Sequence, residues 1–295
     1  MNHTEIISLV EQLWSSTLPE KRRETFKLLR STIPADSLSL FDALVDNKRN
    51  GIHDCSDSRV LILIHGIHTD GSWHQHVQAK LSDIKNLQVQ DLGYDLVTAL
   101  QLFGPFRRGP IERIVREIRN IKREEPLAKI SVIAHSFGTY ITSKILQDHP
   151  DIVFDKIIMC GSIVSRDYPW NRNARGMNKS SIINDVGTRD IWPLVATCTT
   201  LGYGSTGRRG FQSSCVTDRY FNYAHSDFFE EKNDHITKYW RPIFEHNAIK
   251  SSDWDTKKPK AGLSVLIFSH PLLGRLLVAT FIAGVILALF CYSNG

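Results

Sequence analysis

The stretch ISVIAHSFGTY, residues 130–140, joins two apolar segments through a short group of small residues. The first segment, 130–134, predicts a buried β-strand, and residues 140–146 continue as a helix. Between them lies Ala-His-Ser-Phe-Gly, which differs from the pattern G-x-S-x-G only by alanine at the first position. In that pattern a serine lies on a tight turn between a strand and a helix, and its neighbours must be small. Ser136 is therefore either an exposed nucleophile or an ordinary buried serine.

Alternating strands and helices surround this stretch. Further strands are predicted at 60–64, 87–92, 156–160 and 181–186. The continuous apolar run VLILI at 60–64 is typical of a strand that is covered on both faces. A helix is predicted at 111–123, where isoleucine and valine form one apolar stripe. This alternation implies an α/β fold with a mostly parallel central sheet, flanked by helices and connected by right-handed crossovers.

The chain of 295 residues is long enough for one domain of roughly 200–250 residues with additional segments at its ends. Residues 4–45 have helical apolar spacing and precede a polar connector. The predicted parts are an N-terminal helical segment with its connector at 1–57, an α/β domain at 58–249, a linker with an apolar interfacial segment at 250–274, and a transmembrane helix at 275–292.

Composition and cysteine spacing exclude several classes of protein. The formal charge of +5 is modest, and the basic residues are scattered, so nucleic-acid binding is not expected. The five cysteines have no metal-ligand spacing, which indicates a reducing compartment and no zinc site or disulfide framework. The first residues, MNHTEIISLVEQLW, lack a basic region followed by a clean apolar core, so they do not predict a secretory signal.

The C-terminal run LLVATFIAGVILALFCY, residues 276–292, contains no charge. As a helix it would extend about 25 Å, slightly less than the ~30 Å hydrocarbon core of a bilayer. We predict a single-pass membrane anchor at 275–292, with a buried C-terminal helix as the alternative. Basic residues precede the run, so the large domain is expected on the cytoplasmic side. They are Lys257, Lys258, Lys260 and Arg275.

A nucleophilic serine requires a histidine that takes its proton and a carboxylate that orients the histidine. The carboxylate is expected after a later strand, and the segment SIINDVGTRD at 181–190 offers two acids. Asp190 is favoured because it lies beyond the apolar run, on the turn that follows Gly187. Asp185 is the alternative, with a hydrogen-bonded structural role at the strand end if it is not the acid.

Twelve histidines compete for the role of base. The expected order along the chain is nucleophile, acid and then histidine near the C-terminal edge of the domain. His225 satisfies this order on a loop that precedes a helix, whereas His235 and His246 have the spacing of helix or connector residues. His135 is adjacent to Ser136 and is expected to pack in the turn.

Donors for a developing oxyanion are the third requirement, and backbone N–H groups commonly supply them. The first strong strand ends in His65-Gly66, where glycine allows close approach of the backbone. The N–H groups of Ile67 and Phe137 are therefore the predicted oxyanion hole.

Four segments resemble, in the same order, landmarks of the α/β-hydrolase superfamily, in particular a bacterial esterase and lipase-like group. The resemblance extends from about Val60 to Ile243. Its landmarks are HGI with the following T, G and W at 65–73, IAHSFGTY at 133–140, NDVGTRDIWP at 184–193 and HSDFF at 225–229.

The resemblance implies a Ser136–Asp190–His225 triad on a mostly parallel sheet similar to the eight-stranded one of the superfamily. It also implies hydrolysis of esters or thioesters through an acyl-enzyme, without a cofactor. Alanine at the first position of the turn occurs in some lipases of the superfamily. The resemblance does not cover the N-terminal helices or the C-terminal run.

Together these patterns predict a membrane-anchored serine hydrolase of the lipase, phospholipase or acyl-thioesterase type. An anchor would hold the site near the bilayer and raise the effective concentration of lipid esters. The alternative is a non-catalytic membrane adaptor that retains a hydrolase scaffold. A second copy of the chain or a regulatory protein is a further possible partner, for which residues 4–45 are available.

Overall fold

Among the described residues, the central sheet contains six strands in the order β2-β1-β3-β4-β5-β6, and every neighbouring pair is parallel. The strands are β1 (Arg59–Ile64), β2 (Leu87–Asp91), β3 (Lys129–His135), β4 (Ile157–Cys160), β5 (Ile182–Gly187) and β6 (Thr217–Phe221). The computed structural model describes residues 3–15, 19–51, 58–66, 72–92, 107–125, 128–174, 176–177, 180–258, 260, 262–270, 272–276, 278–280 and 283–284.

This sheet confirms the α/β class and the parallel arrangement that the alternating pattern predicts. Within the described residues it has six strands, fewer than the eight-stranded sheet that the resemblance implies.

Successive side chains along each strand point to opposite faces of the sheet. In β1, Val60, Ile62 and Ile64 belong to one buried cluster, while Leu61 and Leu63 belong to the cluster on the other face. Because both faces are covered, the strand has an unbroken apolar sequence.

Helices cover the two faces of the sheet. Helices α5 and α6 supply buried residues to one cluster, and α4 and α10 supply them to the other. The helices of this domain are α4 (Ser72–Leu81), α5 (Arg108–Glu124), α6 (Phe137–Asp148), α7 (Trp170–Asn173), α8 (Trp192–Thr199), α9 (Thr206–Arg209) and α10 (Arg241–His246). Two 3-10 helices, Asp227–Phe229 and Glu231–Asn233, and a π-helix, Ile236–Trp240, precede α10.

The N-terminal segment is helical, as its apolar spacing predicts. It forms α1 (His3–Ser15), α2 (Pro19–Thr32) and α3 (Ala35–Gly51). These helices have an apolar cluster of their own, in which the rings of Phe26 and Phe41 stack at 5.6 Å between centroids. The polar connector is predicted at 47–58, but α3 continues through its first part to Gly51. Residues 52–57 lie outside the described residues, and the domain boundaries stay predictions.

Among the described C-terminal residues, helix α11 (Leu263–Ser269) packs against α8. In the described part of the chain, no single helix is long and apolar enough to cross a membrane. That criterion is met only by two helices taken together, Leu263–Ser269 and Leu272–Thr280, which are bent by 89° relative to each other. Most of the predicted anchor at 275–292 lies outside the described residues, so the anchor stays a prediction.

Gly138 lets α6 approach β1 closely, and its replacement by alanine tests this contact. An added Cβ would overlap the carbonyl oxygen of Ile64. We expect Gly138→Ala to lower the free energy of unfolding by about 1–3 kcal/mol, as overpacking does. The measurement is urea unfolding followed by circular dichroism.

Gly109→Ala in α5 is the matched control, because nothing lies within 4 Å of the Cβ it adds. Alanine favours the helix over glycine by about 1 kcal/mol, so no loss of stability is expected there. Equal stability of the two variants would contradict the close contact between α6 and β1.

Candidate active site

Ser136 lies on the sharp turn between β3 and α6. Its backbone angles are φ 54° and ψ −120°, in a region that residues with a side chain rarely adopt. The turn is held by two hydrogen bonds, from the Ser136 N–H to the Cys160 carbonyl at 3.1 Å and from the Thr139 N–H to the Ser136 carbonyl at 3.0 Å. This geometry matches the strand-to-helix turn that the G-x-S-x-G-like pattern predicts, and it agrees poorly with an ordinary buried serine in regular structure.

The end of β1 lies directly beside this serine. A Cβ added to Gly66 would be 2.7 Å from the Ser136 Cβ and 3.1 Å from its Oγ, so only glycine fits here. Phe137 begins α6, and the first N–H groups of a helix have no partner within the helix. Phe137 thus has a backbone donor next to Ser136. Ile67, the other predicted oxyanion donor, lies outside the described residues.

Asp190 and His225 form the hydrogen bond that the predicted triad requires. The Asp190 carboxylate is fully buried, and its Oδ2 lies 2.8 Å from Nδ1 of His225. Its Oδ1 accepts the backbone N–H of Trp192 at 3.0 Å. An ionised carboxylate only accepts hydrogen bonds, so Nδ1 carries the proton and Nε2 is the basic nitrogen of His225.

The loop that carries His225 is anchored beside the serine turn. His135, immediately before Ser136, donates from Nε2 to the His225 carbonyl at 3.0 Å, and the two rings lie 4.5 Å apart. A Cβ on Gly161 would be 2.8 Å from Cε1 of His225, and Gly161 follows Cys160, the acceptor for Ser136. The structure therefore brings Ser136, Asp190 and His225 to the carboxyl edge of the sheet.

His135 is a neutral structural group in this arrangement. Only 1% of it is exposed, and burial lowers its pKa well below the ordinary value, with His225 adding to the effect. Its ring packs edge-on against Phe229 at 5.0 Å. The expectation that His135 packs in the turn is consistent with these contacts, but its hydrogen bond to His225 was not foreseen.

Asp185, the alternative acid, belongs to a different buried network. Arg219 donates to both of its carboxylate oxygens, at 2.7 and 2.8 Å. Trp240 Nε1 donates to Oδ2 at 2.7 Å, and His235 Nε2 lies 3.0 Å from the same oxygen. Burial alone would raise the pKa of Asp185, but Arg219 and His235 outweigh it and hold that pKa well below its usual range.

Neither of the remaining histidine alternatives is hydrogen-bonded to Asp190. His235 is 1% exposed and bonds Asp185, while His246 ends α10 and is exposed. Sequence reasoning did not foresee Arg219 as the partner of Asp185. A signal was available, because an arginine inside the strand TDRYF needs a buried counter-charge.

Among the described residues, no group of three or more His, Cys, Asp or Glu side chains is arranged to hold a metal ion. The groups that the structure places at this edge of the sheet are a serine hydroxyl, an imidazole bonded to a carboxylate and the backbone N–H of Phe137.

Comparisons with known proteins find similarity among solved structures. No family model matches the chain, and no curated protein does. A predicted CIB-like hydrolase from Thermoplasma acidophilum has 17% identity and a TM-score of 0.40 over 63% of this chain and 85% of its own. A pyrethroid hydrolase from Sphingobium faniae JZ-2 has 14% identity and a TM-score of 0.41 over 64% of this chain and 98% of its own. An alpha-beta serine hydrolase homologue from Coxiella burnetii has 15% identity and a TM-score of 0.38 over 64% of this chain and 84% of its own.

Replacement of each buried aspartate by asparagine separates their roles. Asp190→Asn keeps an acceptor for Trp192 but disturbs the tautomer of His225, so turnover of an ester should fall about ten-thousand-fold in a folded protein. Asp185→Asn leaves the buried Arg219 without a counter-charge and should lower the free energy of unfolding by about 3–5 kcal/mol. Ester turnover and urea unfolding of both variants are the measurements. A large activity loss in a stable Asp185→Asn protein would reverse the assignment.

Lowering the pH should decrease the free energy of unfolding, because Asp185 becomes protonated. Its pKa is lower in the folded protein than the value of about 3.9 in an unfolded chain, so its stabilisation is complete above that value. The stabilisation is lost as the pH falls toward the folded pKa. Unfolding free energies measured across the acid range should therefore decline less steeply for Asp185→Asn than for the unmodified protein. Parallel curves would contradict an ionised Asp185.

Proposed function

We propose that this protein is a serine hydrolase that cleaves carboxylic esters or thioesters through an acyl-enzyme. The observation that carries the proposal is the Asp190–His225 hydrogen bond of 2.8 Å at the same edge of the sheet as a serine held at φ 54°. A buried carboxylate that orients an imidazole next to a strained, strand-end serine is the arrangement that activates a hydroxyl for nucleophilic attack.

In the first half of the reaction, Ser136 Oγ attacks the carbonyl carbon of the ester, and His225 Nε2 takes the hydroxyl proton. The Asp190 carboxylate stabilises the imidazolium that forms. The Phe137 N–H, together with the N–H of Ile67, stabilises the negative charge on the carbonyl oxygen. His225 then gives the proton to the leaving alkoxide or thiolate, so an alcohol or thiol departs.

The second half returns the enzyme to its starting state. His225 takes a proton from water as the water oxygen attacks the acyl carbon. The proton passes back to Ser136 Oγ when the acyl–oxygen bond breaks, which releases a carboxylic acid.

The proposed substrates are esters of apolar acyl chains presented at a membrane. The uncharged run at 276–292 supports a membrane-anchored lipase, phospholipase or acyl-thioesterase whose catalytic domain faces the cytoplasm. Anchoring would concentrate lipid esters near the site.

Labelling by a fluorophosphonate probe tests the catalytic proposal. The unmodified protein should react, while Ser136→Ala and His225→Ala should lose labelling, because the probe phosphonylates only an activated serine. Ser143→Ala, at a serine within α6, should label normally. Gel fluorescence gives the labelled fraction. A folded protein that is not labelled, or labelling that survives in Ser136→Ala, would refute the proposed nucleophile.

A further inference from the structure

The surface of α8, of α11 and of the residues that follow each of them carries exposed apolar side chains. The exposed side chains on α8 are spaced so that they share one side of the helix, as are those on α11. We call this surface the apolar face. Its members and their exposed fractions are Trp192 (57%), Val195 (42%), Leu201 (72%), Leu263 (74%), Leu266 (41%) and Leu272 (62%).

The two helices that carry the apolar face are joined by specific contacts. Cys198 on α8 donates from Sγ to the Phe268 carbonyl on α11 at 3.3 Å. Arg275 donates to the Thr200 carbonyl at 2.9 Å, just beyond the end of α8. Gly274 lies against Cys198, where an added Cβ would be 2.5 Å from Sγ. The C-terminal segment is therefore fixed to α8.

The apolar face also borders the candidate active site. Asp190 Oδ1 holds the backbone N–H of Trp192, the first residue of α8, while Oδ2 of the same carboxylate holds His225. The indole of Trp192 lies 6.3 Å from the His225 imidazole between ring centroids. A ligand that covers the apolar face would thus lie beside the basic histidine.

A lipid bilayer is the occupant that the neighbouring chain favours. Exposed apolar patches that extend over several side chains mark interaction sites in soluble domains. Leu276, itself 53% exposed, is the first residue of the uncharged run that continues to Tyr292. Lys257 and Lys260 are exposed just before α11 and add positive charge that attracts anionic lipid.

We propose that the apolar face docks on an anionic bilayer and presents the mouth of the active site to it, so that an ester substrate enters from the lipid. The proposal rests on the proposed function for its substrate, but the docking is separable from it. It assigns a membrane contact to the folded domain in addition to the predicted anchor.

Tryptophan fluorescence tests docking without any reference to catalysis. Trp192 is far more exposed than Trp73, Trp170 and Trp240, which are at most 4% exposed. The full-length protein is reconstituted into equimolar phosphatidylcholine–phosphatidylglycerol vesicles, with and without bromine on the acyl chains. We expect brominated lipid to quench a component of the emission that disappears in Trp192→Phe. Identical quenching in the two proteins would overturn the proposal.

A second copy of the chain is the rival occupant. It would shield Trp192 from aqueous iodide in detergent solution, increasingly as the protein concentration rises. That result, without quenching by brominated lipid, would assign the apolar face to self-association and overturn the proposal.

Turnover separates the failure of docking from the failure of catalysis. In the combined variant Leu201→Ser, Leu263→Ser and Leu266→Ser, hydrolysis of a bilayer-resident ester should fall about tenfold, with hydrolysis of a soluble short-chain ester unchanged. Leu28→Ser with Val153→Ser, at residues exposed elsewhere, should alter neither rate. Unchanged hydrolysis of both esters by the combined variant would overturn docking.

No hydrolysis of either ester by the unmodified protein would refute the proposed function, while the fluorescence result still decides docking. If the combined variant also loses turnover of the soluble ester, the single variant Leu266→Gln, which retains a good helix former, is assayed in its place. Equal rates for Leu266→Gln and the unmodified protein on the bilayer-resident ester would then count against docking.

Discussion

The carboxylate of Asp190 is the group on which the rest of the site depends. One of its oxygens orients His225, and the other holds the first N–H of α8. Both partners are close in space only because β5 and β6 run parallel and end at the same edge of the sheet. A buried carboxylate must have its lone pairs satisfied, and here the two partners do so from different segments of the chain. The position of the imidazole and the position of α8 are consequently linked through one side chain.

Asp185 inside β5 and Asp190 just beyond it have different surroundings. Asp185 faces Arg219 directly across the parallel register, and the resulting ion pair is completed by Trp240 and His235. Such a pair ties β5 and β6 to the π-helix and satisfies charges that could not be buried alone. Within the described residues, no arginine donates a hydrogen bond to Asp190. Its side-chain partner is His225, at the edge of the sheet. The ion pair of Asp185 therefore lies in the same β5 segment that leads to the Asp190–His225 hydrogen bond.

The strained backbone of Ser136 is held in place by the structure around it. Its backbone lies in an unfavourable region, which costs on the order of 1–3 kcal/mol and persists only where neighbouring structure determines it. The β3 strand on one side, α6 on the other and the Cys160 carbonyl beneath provide that structure. On the outer side of the site, α8 continues from Asp190 into the apolar face. The same short connection thus joins the end of β5, the proposed proton-transfer group and the apolar face.

Contiguous residues by themselves determined the parallel α/β class, the turn at Ser136 and the order of Ser136, Asp190 and His225 along the chain. Strand burial, helical spacing and turn chemistry are local properties, so a stretch such as ISVIAHSFGTY carries them without knowledge of its neighbours. The sequence favoured Asp190 as the acid with Asp185 as the alternative, and only the tertiary structure distinguished the partners that each one binds. That distinction depends on strand register, which sets Arg219 opposite Asp185 across 34 residues of chain. Packing of distant segments likewise decided that His135 holds the His225 carbonyl and that α11 is fixed to α8, because neither contact leaves a periodic signal in the sequence.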